Sequence, residues 1–141
     1  MFEKSKEDRL RAWIDFRKQI ETTDNPIQET IDLYNRAPLV SIAVDPYDDS
    51  NWPNPWELLN ENQYCDFAII LGIGYTLGLT DRFMDIKKEI HIFTNKKVAQ
   101  TKYLLYINNN VIGYNRLSAV TPLEVSSDWV IEKTYTLPDY Q

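Results

Sequence analysis

The sequence predicts an α+β fold in which helices come first and an antiparallel sheet follows. Two observations support this prediction. Apolar residues recur at helical spacing as far as Leu79, and beyond Asp81 they alternate with the two-residue period of strands. Because no repeat or linker-like tract divides residues 1–141, we expect a single domain, with a helical hairpin in 1–38 and a central helix plus sheet in 39–141.

Two amphipathic segments open the chain. In the first, apolar residues such as Trp13 and Ile20 lie on one stripe of a helix. The second begins at Asn25, an N-cap residue, followed by Pro26 at the first helical position, and Pro38 ends it. These segments predict the N-terminal helical hairpin.

The loop that follows, "DPYDDSNWPNP", is rich in proline and aspartate. Three carboxylates, Asp45, Asp48 and Asp49, fall within five residues. Their spacing lacks the glycine and the terminal glutamate of an EF-hand calcium loop. We therefore predict a solvated turn here and no metal site.

A buried central helix is predicted from Cys65 to Leu79. A short helix precedes it, starting at Asn54 with a capping-box pattern. The Cys65–Leu79 segment is apolar nearly all round, which is typical of a helix buried on most sides. Gly74 and Gly78 lie one turn apart in it, and we expect another element to approach closely along that line.

The C-terminal half carries the predicted sheet. The segments "EIHIFT", "KYLLYI" and "NVIGYN" have strand patterns, the last two joined by a turn at Asn108-Asn109-Asn110. The segments "LEV" and "WVIEKTYTL" predict one or two further strands. We expect the central helix to pack on this antiparallel sheet.

Composition excludes several classes of function. The net charge is −6 and the basic residues are scattered, so no nucleic-acid partner is expected. One cysteine and one histidine leave no internal disulfide and no zinc cluster, and no cofactor motif is present. The longest apolar stretch is shorter than the roughly 20 residues that cross a bilayer, and the N-terminus lacks a signal-peptide pattern. We expect a cytoplasmic protein without a membrane partner.

Cys65 is the candidate nucleophile because it stands at a predicted helix N-terminus. The free N–H groups and the dipole of a helix start favour the thiolate. A catalytic cysteine also needs a base within hydrogen-bond reach and a third group that orients the base. A small buried hydrophobic residue is the alternative interpretation of Cys65.

The stretch "DSNWPNPWELLNENQYCDFAIILGIGYTLGL" resembles transglutaminase-like cysteine peptidases, in which a tryptophan-proline loop and a short helix precede the nucleophile. The resemblance covers about residues 45–115 and implies a buried central helix packed on an antiparallel sheet. Cys65 matches the nucleophile and Asp66 the acidic residue after it. The family's sheet carries a catalytic histidine and then an aspartate.

The hairpin "TKYLLYINNNVIGYN" departs from that family. Thr101 or Lys102 stands where the resemblance implies the histidine, and Asn115 stands near the aspartate position. His91, in the strand before, is then the candidate base. Asn108 would orient it, as an asparagine does in papain-like enzymes. A cysteine hydrolase or transferase using Cys65 and His91 is thus the alternative function.

A second resemblance concerns the whole N-terminal pattern, from "AWIDFRKQIE" through "NPIQETIDLYNRAPLVSIAVDPYD" to "WPNPWELL". It is similar to small proteins of marine tailed bacteriophages. This resemblance implies a virion structural part of the head, neck or tail, located in the virion if the chain is phage-encoded.

Tryptophans are the candidate interface residues. Trp52 and Trp56 flank two prolines, and Trp13 lies in the first helix. Tryptophan is enriched at binding hot spots, although a lid over the core is the alternative for the loop pair. We therefore predict a non-catalytic interaction protein on a degenerate transglutaminase-like fold, with other protein chains as partners in a multi-chain assembly.

Overall fold

The computed structural model describes residues 1–140, and these have the predicted α+β order of four α-helices followed by a four-stranded antiparallel sheet. The helices are α1 (Lys6–Ile20), α2 (Pro26–Tyr34), α3 (Pro55–Glu61) and α4 (Asp66–Gly78); the strands are β1 (Lys88–Asn95), β2 (Thr101–Ile107), β3 (Asn110–Ile112) and β4 (Trp129–Thr136).

Local signals set the helix starts where the sequence predicts them. Pro26 occupies the first turn of α2. Before α3, Asn54 Oδ1 accepts a hydrogen bond from the Glu57 backbone N–H at 2.8 Å, and Glu57 Oε1 accepts one from the Asn54 N–H at 3.0 Å. This reciprocal capping box satisfies two of the N–H groups that a helix start leaves free.

The sheet has the order β3-β2-β1-β4, so β1 lies inside it and β4 forms one edge. The β1–β4 register shifts once: Ile92 pairs with Lys133, whereas Phe93 pairs with Ile131. Glu132 is therefore an extra residue on the edge strand, a β-bulge.

Two predicted strands differ from the structure. The strand expected in "NVIGYN" ends at Ile112, because Gly113 has φ 107° and turns the chain away from β2. The "LEV" segment is not a strand, since Pro122–Glu124 forms a 3₁₀ turn. A proline at the first position of that turn favours the helical over the extended conformation.

Helix α4 is the centre of the core. Ten of its 13 residues are buried. It packs on α2 and α3 on one side and on β1 and β2 on the other, where Ile90 and Leu105 are fully buried. Burying one such side chain stabilises the fold by about 1.5–3 kcal/mol. The prediction of a buried central helix packed on the sheet is confirmed.

Three glycines of α4 lie where other elements approach it closely. A Cβ on Gly72 would collide with the ring of Tyr34, and a Cβ on Gly74 would lie 2.7 Å from Leu137 Cδ2. Gly78 similarly faces a lysine side chain of β1. The expected line of close approach through the α4 glycines is therefore present, and it extends to α2.

The first two helices form as predicted, but they do not pack mainly on each other. Helix α1 packs on α3, and α2 packs on α4. In place of the predicted hairpin there are thus two consecutive helices, each of which packs mainly on a different later helix. For α2, the large apolar surface of α4 offers more contact than α1 does.

A buried polar cluster joins three of the helices. Trp13 Nε1 of α1 donates to Thr76 Oγ1 of α4 at 3.0 Å, and the hydroxyls of Tyr34 and Thr76 are 3.0 Å apart. Thr76 Oγ1 donates its hydrogen to the Gly72 carbonyl at 2.7 Å. Because a hydroxyl has one hydrogen and two lone pairs, Tyr34 must be the donor to Thr76. Every hydrogen-bonding position of the Thr76 hydroxyl is thereby filled.

The outer face of the sheet, turned away from α4, carries a second and smaller cluster. The chain between β3 and β4 covers part of this face. The buried residues of this second cluster are Phe93, Leu104 and Val111, and the partly buried residues packed against them are Tyr106, Tyr114, Val120, Val125 and Trp129.

We expect Gly72→Ala to lower the free energy of unfolding by about 1–3 kcal/mol, because the new methyl group overpacks against the buried Tyr34 ring. Gly74→Ala is the matched control: its methyl group meets the flexible end of Leu137, which can shift. Chemical denaturation of both variants checks this. A Gly72→Ala protein as stable as Gly74→Ala would contradict the packing described for α2 and α4.

Alkaline pH should weaken the cluster at Thr76. Burial raises the pKa of Tyr34 from 10.0 to about 12. Because the folded chain favours the neutral phenol, this contribution is complete below pH 10 and is lost as the pH rises through 12. We expect the free energy of unfolding of the wild type to fall by up to about 3 kcal/mol more than that of Tyr34→Phe between these pH values. Urea melts of the two proteins from pH 9 to 12 measure the difference, and parallel curves would refute it.

Candidate functional site

Cys65 is the N-cap residue of α4, with extended backbone (φ −120°, ψ 178°). Its side chain is half-buried and packs at the margin of the main core. Tyr103 of β2 lies beside it: burial raises the pKa of Tyr103, and the neighbouring Cys65 and Asp66 raise that pKa further. The predicted position at the start of the central helix is thus confirmed.

His91 lies on the other face of the sheet. Its neighbours Ile90 and Ile92 point towards α4 and are fully buried in the main core. Since successive strand residues point to opposite faces, His91 points outwards, where it stacks on Tyr106 with ring centroids 4.1 Å apart. The structure therefore does not bring His91 together with Cys65.

The environment of His91 is that of a packed ring. Its side chain is 13% exposed, and Nε2 lies 3.6 Å from Glu89 Oε1, beyond hydrogen-bonding distance. Within residues 1–140 neither ring nitrogen has a hydrogen-bond partner. Burial lowers the pKa of His91 below 6.5, an effect that Glu89 opposes. At neutral pH the imidazole is uncharged and acts as an aromatic neighbour of Tyr106.

The two asparagines of the alternative site have backbone roles. Asn108 sits in the β2–β3 turn with φ 55°, a conformation that asparagine tolerates better than most residues. Asn115 follows β3, and its Oδ1 accepts a hydrogen bond from the Leu117 N–H at 2.8 Å. Neither arrangement orients His91 towards Cys65.

A groove of about 510 Å³ opens beside the start of α4. It brings together Asp66, Thr101, Lys102 and Asn115, positions that the transglutaminase-like resemblance implies near a catalytic centre. Its lining residues come from α2 and the chain just after it, from α4, from β2 and the residue before it, and from the chain around β3. They are Ile31, Asn35, Ala37, Leu39, Asp66, Ile69, Ile70, Ile73, Gln100, Thr101, Lys102, Tyr103, Ile112, Gly113, Asn115 and Arg116.

The chemistry of this groove is not that of a catalytic triad. Thr101 or Lys102 stands where the resemblance implies the histidine, and the Lys102 ammonium is turned to the outer face of the sheet. There it donates to the Tyr114 carbonyl at 3.1 Å and lies 5.4 Å from the centroid of the Trp129 ring. Among the lining residues, the position where the resemblance implies the histidine therefore carries no imidazole.

The three predicted interface tryptophans have different exposures. Trp13 is 1% exposed and Trp52 is 9% exposed, so both are core residues in this chain. Trp13 is held by Thr76, and Trp52 packs on Tyr135 with ring centroids 4.8 Å apart. Neither indole is therefore an accessible anchor in the folded single chain, and the burial of Trp52 agrees with the alternative of a lid over the core.

Trp56, by contrast, is 43% exposed. It lies on α3 next to Leu10 of α1, which is 38% exposed, and both line a shallow groove of about 470 Å³. Lys6, Glu7 and Glu57 lie at the same groove. We call this the Trp56 surface. The spacing of Leu10 to Trp13 is that of an apolar stripe on α1, and no sequence signal distinguishes this exposed position from a buried one.

A smaller cavity of about 250 Å³ contains a buried lysine. Lys88 is 8% exposed, and its ammonium donates to the carbonyls of Phe83 and Ile86. Burial lowers the pKa of Lys88, whereas Asp139 and Asp85 raise it. These hydrogen bonds give Lys88 a structural role, because they close the connection between α4 and β1.

The aspartates of the loop before α3 act as turn residues. Asp45 Oδ1 accepts a hydrogen bond from the Tyr47 N–H at 2.9 Å, and Asp48 accepts hydrogen bonds from Ser50 and Asn51. Such bonds between aspartate and the following residues are typical of tight turns. Among the residues the structure describes, no group of acidic, histidine or cysteine side chains is arranged to hold a metal ion.

Comparisons with known proteins found no family model, curated protein or solved structure that matches the chain. None of the helices in residues 1–140 has the length and apolar character needed to cross a bilayer.

We expect His91→Phe to leave the alkylation of Cys65 by iodoacetamide unchanged, because the imidazole lies across the sheet and cannot take the thiol proton. Phenylalanine keeps a flat ring against Tyr106. Labelling rates of both folded proteins near pH 7 test this, with rates in denaturant as the control. A decrease of about tenfold or more in the variant would mean that His91 activates Cys65.

Proposed function

We propose that this chain is a non-catalytic protein–protein interaction component that works as part of a multi-chain assembly. The observation that carries the proposal is the Trp56 surface. Exposed tryptophan beside an exposed aliphatic side chain, with charged residues around them, is the composition of a binding hot spot and its polar rim.

The position of Trp56 also supports this role. Its ring packs edge-on against buried Trp13, with centroids 6.5 Å apart, and against Tyr140 at 6.1 Å. These contacts hold the indole in one orientation before a partner arrives. A pre-oriented side chain loses less conformational entropy on binding, which favours affinity.

The separation of Cys65 from His91 favours binding over catalysis. A cysteine hydrolase or transferase needs a base within hydrogen-bond reach of its thiol. His91 is the only histidine of the sequence, and it stacks on Tyr106 on the outer face of the sheet. The alternative enzymatic function therefore lacks its general base.

The proposal also includes two resemblances of the sequence. A degenerate transglutaminase-like fold is supported by a buried helix that starts at Cys65 and packs on an antiparallel sheet. A role as a phage virion structural protein, in the head, neck or tail, rests on the similarity of the N-terminal pattern to proteins of marine tailed phages. Both fit an assembly part better than a metabolic enzyme.

Trp56→Ala should weaken incorporation into particles, since truncating a hot-spot tryptophan costs about 2 kcal/mol or more of binding free energy. The tagged chain is expressed during phage infection, and its share in the particle fraction of a density gradient is measured. Leu123→Ala is the matched control, because Leu123 is 97% exposed and lies outside the Trp56 surface.

Thermal melts must show that both variants are folded, because Trp56 also contacts Trp13. Recovery of the wild type only as free protein would contradict the virion role. Equal incorporation of the Trp56→Ala and Leu123→Ala proteins would contradict the assignment of the Trp56 surface.

A further inference from the structure

The groove beside the start of α4 combines an apolar floor with a polar mouth. Ile70 and Ile73 of α4 are 4% and 2% exposed and form part of its floor, together with half-buried Ile69. Leu39 stands at the mouth and is 59% exposed. The volume of about 510 Å³ lies within the usual range of ligand pockets, roughly 300–1,000 Å³.

Two oppositely charged side chains of the groove have no hydrogen-bond or ion-pair partner within the described chain. Asp66 contributes a carboxylate from the first turn of α4, and Arg116 contributes a guanidinium from the segment after β3. Both residues are exposed, and neither side chain forms a hydrogen bond or an ion pair with another described residue. An occupant that carries a base near Asp66 and an acid near Arg116 would complement both.

One wall of the groove is the edge of a strand. β3 pairs with β2 only from Leu105 to Ile107, because the chain leaves the sheet at Gly113. In residues 1–140, Thr101 and Lys102 therefore have no strand partner on the β3 side. A strand edge beside an apolar floor favours an extended peptide, whose main chain and alternate side chains use both features.

We propose that this groove binds an extended segment of a partner protein, with an aliphatic side chain on the isoleucine floor, a basic residue facing Asp66 and an acidic residue facing Arg116. The inference rests on the proposed interaction function and adds a second surface, separate from the Trp56 surface. The opposite charges of Asp66, on α4, and Arg116, after β3, set the direction in which the segment lies.

A display library of short random peptides on the immobilised protein tests the proposal. The wild type should enrich peptides with an aliphatic residue between a basic and an acidic one, in one order. The double variant Asp66→Lys with Arg116→Glu keeps the net charge and should enrich the reverse order. Its matched control is Asp24→Lys with Lys18→Glu, two exposed charges outside the groove, which should select as the wild type does.

The most enriched wild-type peptide then serves as a fluorescent probe for anisotropy. Leu39→Ser should weaken its binding at least about fivefold without changing the melting temperature, because Leu39 is exposed. Leu123→Ser should leave its binding unchanged. This single substitution keeps the proposal testable if the charge-swapped protein fails to fold.

Three results would overturn the proposal: no enriched pattern with the wild type, the same pattern with the charge-swapped protein, or a probe insensitive to Leu39→Ser. Gel filtration at several concentrations tests whether the wild type self-associates. If it does and the charge swap abolishes the self-association, the occupant of the groove is a second copy of this chain, which also contradicts the proposal. If the wild type selects no peptide pattern but Trp56→Ala still reduces incorporation into particles, peptide binding by the groove is refuted and the proposed function is not.

Discussion

The hydroxyl of Thr76 is the interaction on which the helical layer depends. It is the one threonine in a helix that is otherwise almost wholly apolar, and its hydrogen and both lone pairs are used by Gly72, Trp13 and Tyr34. Apolar contact alone leaves a helix free to rotate or slide, whereas a buried hydrogen bond has a strict geometry. This cluster therefore sets the positions of α1 and α2 against α4. The orientation of Trp56, through Trp13, and the α2 wall of the groove beside the start of α4 follow from it.

The alternation of side chains in β1 places His91 on the face of the sheet opposite to Cys65. A central strand must point its aliphatic residues at α4, which sends the residue between them to the opposite face. His91 occupies that intermediate position, so the thickness of the sheet separates its imidazole from Cys65. A thiol at a helix start and a histidine in the adjacent sheet then give no catalytic pair. The outer face uses the imidazole as a flat packing partner for Tyr106.

Much of the architecture could be predicted from the sequence because local signals and periodicity agree with the final structure. The Asn54 capping box, the all-round apolar α4 and the strand alternation of β1 and β2 all belong to this class. The exposure of Trp13, Trp52 and Trp56 could not be predicted, because burial depends on which distant element covers each indole. The sequence also could not place Asp66 and Arg116 in one groove, since they are 50 residues apart and Arg116 reaches the groove through a loop whose course begins at Gly113.

The bulge at Glu132 has a consequence for the open edge of the sheet. β4 is an open edge, and an open edge with exposed Val130 and Ile131 would ordinarily recruit a strand from a neighbouring molecule. The extra residue interrupts the even spacing of backbone donors and acceptors, and the Tyr47 hydroxyl holds the Glu132 carboxylate at 2.9 Å. The bulge therefore hinders a strand of a second molecule from pairing along the whole length of β4.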